Sequence, residues 1–323
     1  MKKDYMRGFV CSFCLLFSVH ALADTIYVTI EKDNALAVMD GETGELLKTV
    51  PVGQRPRGIA LNKDQTLLYV AASDDDTIQI IDVASLKVVG DLPSGEDPET
   101  FSLHPNGKWL YVSNEDDNLV TVIDVDTKKV VKRIPVGVEP EGVAASSDGK
   151  WVVNTSETTN MAHWIDPESQ TIKANTLVDP RPRAAAFSQD SKNLFITSEI
   201  GGSLSRLDVA SKEIKDKAYF KIPGVAKELV QPVGVLVHPN GKLVFVALGP
   251  ANRVAVVDAA TMEVKKYLLV GQRVWNLAFS PDLSRLYTTN GVSNDISIID
   301  VKSLKVKKSI RVGRYPWGLA VKP

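Results

Sequence analysis

The residues of this chain best suited to recognise a ligand flank a proline that recurs along the sequence. Arg55 and Arg57 stand around Pro56, Asp97 and Glu99 around Pro98, Glu139 and Glu141 around Pro140, and Arg181 and Arg183 around Pro182. Gln231 and Val233 flank Pro232. Arg273 and Trp275 flank Val274, where the proline is missing, and Tyr315 and Trp317 flank Pro316. Guanidinium forks hold carboxylates and other oxyanions through paired N–H groups, while indole rings offer a stacking wall to a planar or apolar group. The set Arg55, Arg57, Asp97, Glu99, Glu139, Glu141, Arg181, Arg183, Arg273, Trp275, Tyr315 and Trp317 is therefore the candidate binding site for a small anionic or aromatic ligand. The competing reading is structural: Arg55 and Arg57 pair with Asp97 and Glu99, and Glu139 and Glu141 pair with Arg181 and Arg183, so that the charges only join neighbouring units.

Glu31, Glu115, Glu157 and Glu199 share a second register and add acidity to the same neighbourhood. A metal under this acidic arc has less support, because oxygen-rich sites need several convergent ligands and no compact calcium loop is present. Neither a metal nor a cofactor is expected. His104 and His238 lie in His-Pro-Asn-Gly segments and read as turn residues, and His163 as a packed or surface histidine. No Gly-x-Ser-x-Gly nucleophile segment occurs, so no catalytic residue is assigned. The two cysteines, Cys11 and Cys14, fall in the first stretch. The rest of the chain can therefore form neither a disulfide, a thiolate nucleophile, an iron–sulfur site nor a covalent haem link.

What must position these side chains is a repeat. Turns of the form Asp-x-x-Ser/Thr begin at Asp40, Asp82, Asp124, Asp166, Asp208, Asp258 and Asp300, 42 residues apart except for one step of 50. The prolines keep the same register. Within a period, short β-rich runs such as Gly58-Ile59-Ala60, Leu68-Tyr69-Val70, Ile78 to Ile81 and Val88-Val89 predict four strands. Four strands repeated seven times predict an all-β, seven-bladed β-propeller. The chain after residue 23 starts with Ile26-Tyr27-Val28, in second-strand register, and ends with Gly318-Leu319-Ala320-Val321, in first-strand register. The C-terminal strand is thus expected to complete the N-terminal blade. The flanked prolines and the glutamate series should then ring one mouth of the central channel, with the Asp turns on the opposite face. The longer step, between Asp208 and Pro232, is expected to lengthen the outer strand region and the Pro223 to Gln231 connection.

Leu110-Tyr111-Val112-Ser113-Asn114, Val122-Ile123-Asp124 and the stretch Ile134 to Gly142 resemble the YVTN-type β-propeller repeat family, and the likeness covers the whole chain after residue 23. Val153, Phe195 and Phe245 replace its tyrosine. Seven copies on an exported chain most resemble the propellers associated with pyrroloquinoline-quinone-dependent catabolism of alcohols. That resemblance implies an accessory to such an oxidation system and supplies no mechanism.

Lys2, Lys3 and Arg7, the apolar run Phe9 to Val19, and Ala21-Leu22-Ala23 form a secretory signal, with cleavage expected after Ala23 and a single propeller over 24–323. A periplasmic location follows. Lys and Arg number 38 against 39 Asp and Glu, so no basic field exists to hold nucleic acid, and no later stretch is long and apolar enough for a membrane span. The expected function is a non-enzymatic periplasmic ligand-binding or scaffold propeller, with a ligand or a protein of the oxidation system as partner. The alternatives are a lactonase-like hydrolase, since seven-bladed lactonases carry similar His-Pro-Asn-Gly-Lys turns, and an enzyme with a noncovalent redox cofactor at the channel mouth.

Overall fold

Segments such as Leu67–Ala72 (LLYVAA) and Leu119–Asp124 (LVTVID) are almost wholly buried. Strands read this way when both faces of their sheet are covered. Outer segments such as Leu46–Pro51 and Lys129–Pro135 instead alternate lysine with apolar residues and stay largely exposed. In the computed structural model, which describes residues 24–323, these segments form seven four-stranded antiparallel sheets with almost no helix. The proposed signal and its cleavage after Ala23 lie outside the described residues.

We number the blades in chain order. Their inner strands are Pro316–Lys322 in blade 1, Pro56–Leu61, Pro98–Leu103, Pro140–Ala145 and Pro182–Phe187 in blades 2 to 5, Val235–Val237 in blade 6 and Val274–Phe279 in blade 7. Blade 1 combines the C-terminal strand with the first three strands of the chain, as expected. Thr25 pairs with Lys322, Ile26 with Val321, Tyr27 with Ala320 and Val28 with Leu319. The core lies between blades rather than within them: Ile26, Val28 and Met39 of blade 1 pack with Tyr287, Ile296 and Ile298 of blade 7. In blade 4, Val153 sits opposite Trp164, so the larger indole on the next strand fills the volume left by the missing tyrosine ring.

Each Asp turn closes on itself. Asp40 Oδ1 accepts from the backbone N–H of Thr43 at 2.6 Å and of Glu42 at 2.9 Å, and Asp300 Oδ1 accepts from Ser303 N at 2.7 Å. The Ser85 and Ser303 hydroxyls also donate to Asp82 and Asp300, and these hydroxyl bonds, with the backbone bonds of each turn, hold the Asp82 and Asp300 carboxyls below their usual range, as the Thr43 N–H and hydroxyl do for Asp40.

The long period departs from expectation. The outer strand of blade 5, Ile214–Tyr219, has six residues and is no longer than any other outer strand, and the extra chain lies entirely in the connection to blade 6. There Phe220, Ile222 and Val230 are buried against the blade 5–6 core around a single short turn at Lys227–Leu229. The inner strand of blade 6 is correspondingly short, and Pro232 precedes it instead of starting it.

Deleting Gly318–Pro323 exposes the second strand of blade 1 as an open edge, a template for association. Thermal unfolding and size-exclusion chromatography of the truncated chain are expected to show a lower Tm and self-association. A Tm equal to that of the full chain would contradict ring closure by this strand.

Candidate functional site

The residue before the recurring proline, or before Val274 in its place, adopts a left-handed backbone in six of the seven blades: φ is 49° at Arg55, 47° at Asp97, 56° at Glu139, 59° at Arg181, 58° at Arg273 and 57° at Tyr315, the exception being Gln231 before Pro232. A side chain in this region costs about 1–2 kcal/mol, and each of these positions has a compensating bond. The backbone N–H of Arg55 donates to Asn34 Oδ1 at 3.0 Å, that of Glu139 to Asn118 at 3.0 Å and that of Arg273 to Asn252 at 2.8 Å, always 21 residues back on the preceding blade. Asp76, Asn160 and Asn294 serve Asp97, Arg181 and Tyr315 in the same way. This Asn/Asp series has the same spacing as the prolines and is a signal of the rim that the sequence carries beyond the flanking residues. Blade 5 has Gly202 at this register, with no side chain to hold Gln231, and it is here that the chain carries its longer connection.

The rim so fixed carries ion pairs across blade boundaries. Glu99 of blade 3 is fully buried and receives both guanidiniums of blade 2: Arg55 at 2.9 Å, and Arg57. Arg55 also contacts Asp97 and reaches Asp74 at 2.8 Å, and Arg57 lies 3.4 Å from Glu31 of blade 1. In the second cluster Arg183 meets Glu141 at 3.0 Å, Glu157, and Glu199 at 3.8 Å. Arg181 bridges Glu157 at 2.9 Å and Glu199 at 3.0 Å. The expected pairing thus holds for Arg55 and Arg57 with Asp97 and Glu99, and for Glu141 with Arg183. Glu139 differs: it accepts from the Thr158 hydroxyl, because the glutamates of the second-to-third-strand loops take Arg181.

Blades 6, 7 and 1 complete the ring differently, with Val233, Trp275 and Trp317 at the register held elsewhere by Arg57, Glu99, Glu141 and Arg183. The Arg273 guanidinium stacks 4.3 Å from the Trp275 ring and donates to Gln231 Oε1 at 2.9 Å. Arg57 lies 5.6 Å over Trp317, and Tyr315 remains exposed at the rim. Gly291 occupies the position of the glutamate series in blade 7, where a Cβ would stand 2.5 Å from Trp275 Nε1; the glycine makes room for the indole. The channel is therefore polarised, with a charged arc over blades 2 to 5 and an aromatic and aliphatic arc over blades 6, 7 and 1.

The charged arc holds more carboxylates than guanidiniums. Glu99 is pushed up to about 7, by burial first and then by Glu141, against the pull of Arg57. Glu115 is also pushed up to about 7, by burial and by Glu99 and Asp97. Burial raises Glu141 and Glu157 too, opposed by Arg183, and burial pulls Arg273 down. Asp97, Glu99 and Glu115 bring oxygens within 4.8 Å of one another, but the Arg55 guanidinium contacts two of them and serves there as the cation.

The histidines lie elsewhere. His104 Nε2 is 2.9 Å from the Gly149 carbonyl and its Nδ1 accepts from Asn106 N; His238 Nδ1 accepts from Asn240 N. Both are turn residues. His163 is packed: its Nε2 accepts from Gly137 N at 2.9 Å, so Nδ1 carries the proton and donates to Asn175 Oδ1 at 2.7 Å. Burial lowers its pKa.

Seven blades, a closing C-terminal strand and a mouth bridged from blade to blade define a seven-bladed β-propeller with a polarised channel. The chain belongs to the YNCE-like beta-propeller family, which matches residues 14–323. No curated protein matches it. Among solved structures it is similar to hydrazine synthase of Kuenenia stuttgartiensis, at 19% identity and TM-score 0.78 over 85% of this chain and 92% of that one. It is also similar to a functionally unknown protein of Desulfotomaculum acetoxidans, at 16% identity and TM-score 0.79 over 92% of this chain and 98% of that one. A 6-phosphogluconolactonase-like protein of Bacteroides fragilis aligns at 18% identity and TM-score 0.79 over 95% of this chain and 99% of that one. These likenesses show the fold alone.

Arg183→Ala leaves Glu141 without its arginine and Glu157 and Glu199 with Arg181 alone. Removing one partner from a buried ion pair costs about 3–5 kcal/mol, and urea unfolding is expected to show a loss of that size. A loss below about 1 kcal/mol, as for exposed pairs, would contradict the structural role.

The raised carboxyls set a pH dependence. With Glu99 and Glu115 titrating near 7 in the folded chain against 4.5 as the ordinary value, the folded state binds more protons between those pH values, and stability falls as pH rises across them. The depressed Asp-turn carboxyls act in the opposite sense, at lower pH. Tm is expected to fall from about pH 5 to about pH 8, and Glu115→Gln to flatten the fall. A Tm that rises over this range in the wild type would contradict the assignment.

Proposed function

We propose that the protein is a non-enzymatic, exported binding propeller of the periplasm that receives a small ligand, or a side chain of a protein partner, at the polarised mouth of its channel. The observation that carries this reading is the asymmetry of the inner ring. A repeat that needed only structural bridges would have no reason to replace them with Val233, Trp275 and Trp317 on one side. Because Arg55, Arg57, Arg181 and Arg183 are each engaged by carboxylates, the arc has little capacity left for an anion, and the free recognition elements are the indoles, Tyr315 and Glu115. The resemblance of the repeats supports a further assignment as an accessory of pyrroloquinoline-quinone-dependent alcohol oxidation, and the proposed signal at residues 1–23 supports export. The hydrolase alternative is less favoured: among the described residues, His104 and His238 are tied into turns on the opposite face, and the buried His163 has both ring nitrogens engaged, by Gly137 N and Asn175 Oδ1, which leaves no histidine base for it.

Native protein isolated from the periplasm is expected to begin at Asp24 and to carry a ligand or partner detectable by mass spectrometry. Trp275→Phe and Glu115→Gln, which keep the shape of the mouth, are expected to weaken that association about tenfold, the effect of losing one favourable contact of about 1.4 kcal/mol, with Tm little changed at about pH 5, where Glu115 is protonated in the folded chain. Unaltered association in both variants would contradict the placement of the site.

A further inference from the structure

Around the mouth, the loops of blades 2 to 4 form an arc of one charge sign. Residues 73–76 include Asp74, Asp75 and Asp76, residues 94–97 include Glu96 and Asp97, and residues 115–118 include Glu115, Asp116 and Asp117, with no lysine or arginine in any of the three. These loops are joined into one surface. The backbone N–H of Asp97 donates to Asp76 Oδ1 at 3.0 Å, that of Glu96 to Asp117 Oδ2 at 2.8 Å, and that of Glu139 to Asn118 Oδ1 at 3.0 Å. Arg55 offsets Asp74 and Asp97, whereas Asp75, Asp76, Glu96 and Asp116 are exposed and bridged by no cation among the described residues. The chain as a whole is near neutral, with 38 Lys and Arg against 39 Asp and Glu. The opposite face mixes its Asp turns with Lys63, Lys108, Lys150, Lys192 and Lys242, so the unmixed acidity belongs to the mouth.

Apolar surface adjoins this arc. Ile200 is 68% exposed, Leu177 65% and Tyr219 57%. Leu177 and Tyr219 end the outer strands of blades 4 and 5, where the chain turns toward the mouth, and Ile200 lies in the loop after the second strand of blade 5. A shallow groove of about 170 Å³ lined by Glu139, Thr158, Pro180 and Ile200 connects the two regions, and the Tyr219 hydroxyl lies 3.5 Å from Asp179 beside Pro180. Large apolar side chains gathered in the open and rimmed by charge mark a surface that meets a partner.

We propose that this face docks a protein partner through a segment that combines lysine or arginine with apolar side chains. The cations lie over residues 73–76, 94–97 and 115–118, and the apolar side chains lie on Ile200, Leu177 and Tyr219. Charge selects this occupant. A second copy docked face to face would set carboxylates against carboxylates, and nucleic acid or an anionic lipid surface would be repelled. The inference rests on the reading of the mouth as a binding site and names the class of its partner.

Three acetylated and amidated heptapeptides serve as probes: Lys-Leu-Gly-Lys-Leu-Gly-Lys, the same peptide with serine for leucine, and the same peptide with glutamate for lysine. In calorimetric titrations at low salt, the lysine–leucine peptide is expected to bind about tenfold more tightly than the lysine–serine peptide, and the glutamate peptide not to bind. Added salt is expected to weaken the binding. The double variant Glu96→Gln/Asp116→Asn is expected to weaken both basic peptides about fivefold, and Leu177→Ser/Ile200→Ser to remove the preference for leucine. Asp126→Asn, in the Asp turn of blade 3 on the opposite face, is the control expected to change nothing. All five side chains are exposed, so the variants keep the fold. Equal binding of the lysine–serine peptide, absence of binding by either basic peptide, or a loss in Asp126→Asn as large as in Glu96→Gln/Asp116→Asn would overturn the inference. So would self-association of the protein that Glu96→Gln/Asp116→Asn abolishes, which would assign the face to a second copy. Failure here, with native association still weakened by Glu115→Gln, refutes the partner class alone. Failure of both refutes the mouth as a binding site.

Discussion

Glu99 is a carboxylate with no exposed surface, made tolerable by two arginines of the neighbouring blade. Removing such a group from water costs several kcal/mol, and the cost is recovered only if its counter-ions are placed well. Placement is what the rest of the ring supplies. The left-handed residues before the prolines aim the rim side chains, and the Asn/Asp series of the preceding blade holds their backbones. At Gly142 a Cβ would stand 2.4 Å from the Arg183 carbonyl, so glycine lets the inner strands approach closely enough for ions 42 residues apart to meet. Buried ion pairs of this kind add little net stability over apolar packing. Their strength is discrimination, since a blade shifted in register would strand an unpaired charge.

The same constraint shapes the functional surface. Blades 2 to 5 are committed to one another through their charges, and their arginines are not free for a ligand. Blades 6, 7 and 1 are joined instead by apolar packing and by backbone bonds such as Gly234 N to the Trp275 carbonyl at 3.0 Å. Their channel positions can therefore carry Trp275 and Trp317 without disturbing a bridge. Recognition and ring assembly are divided between two arcs of one repeat, and both indoles remain tied to the charged arc through Arg57 and Arg183.

Much of this was legible in the sequence because the repeat is so regular. The Asp turns and prolines gave the blade count, the strand registers at the two ends gave the closure, and the mouth residues fell on one face as expected. The partners of the individual charges were not legible. Arg181 stands beside Glu139 in the repeat register yet bridges Glu157 and Glu199, because the loop glutamates of its own and the preceding blade reach it, a matter of side-chain direction that spacing does not encode. Nor could spacing show that the longer period leaves the outer strand intact, since Phe220, Ile222 and Val230 read equally well as strand or as buried loop.

The claim on which the account rests is that the inter-blade ion pairs act as coupled units. A double-mutant cycle on Arg57→Met and Glu99→Leu, read by urea unfolding, tests it most directly. The account predicts that each single substitution is more destabilising than the pair together, with a coupling energy of about 2 kcal/mol or more, within the range for residues sharing one network. Additive losses, with coupling below about 0.5 kcal/mol, would show the charges to be independent and would contradict it.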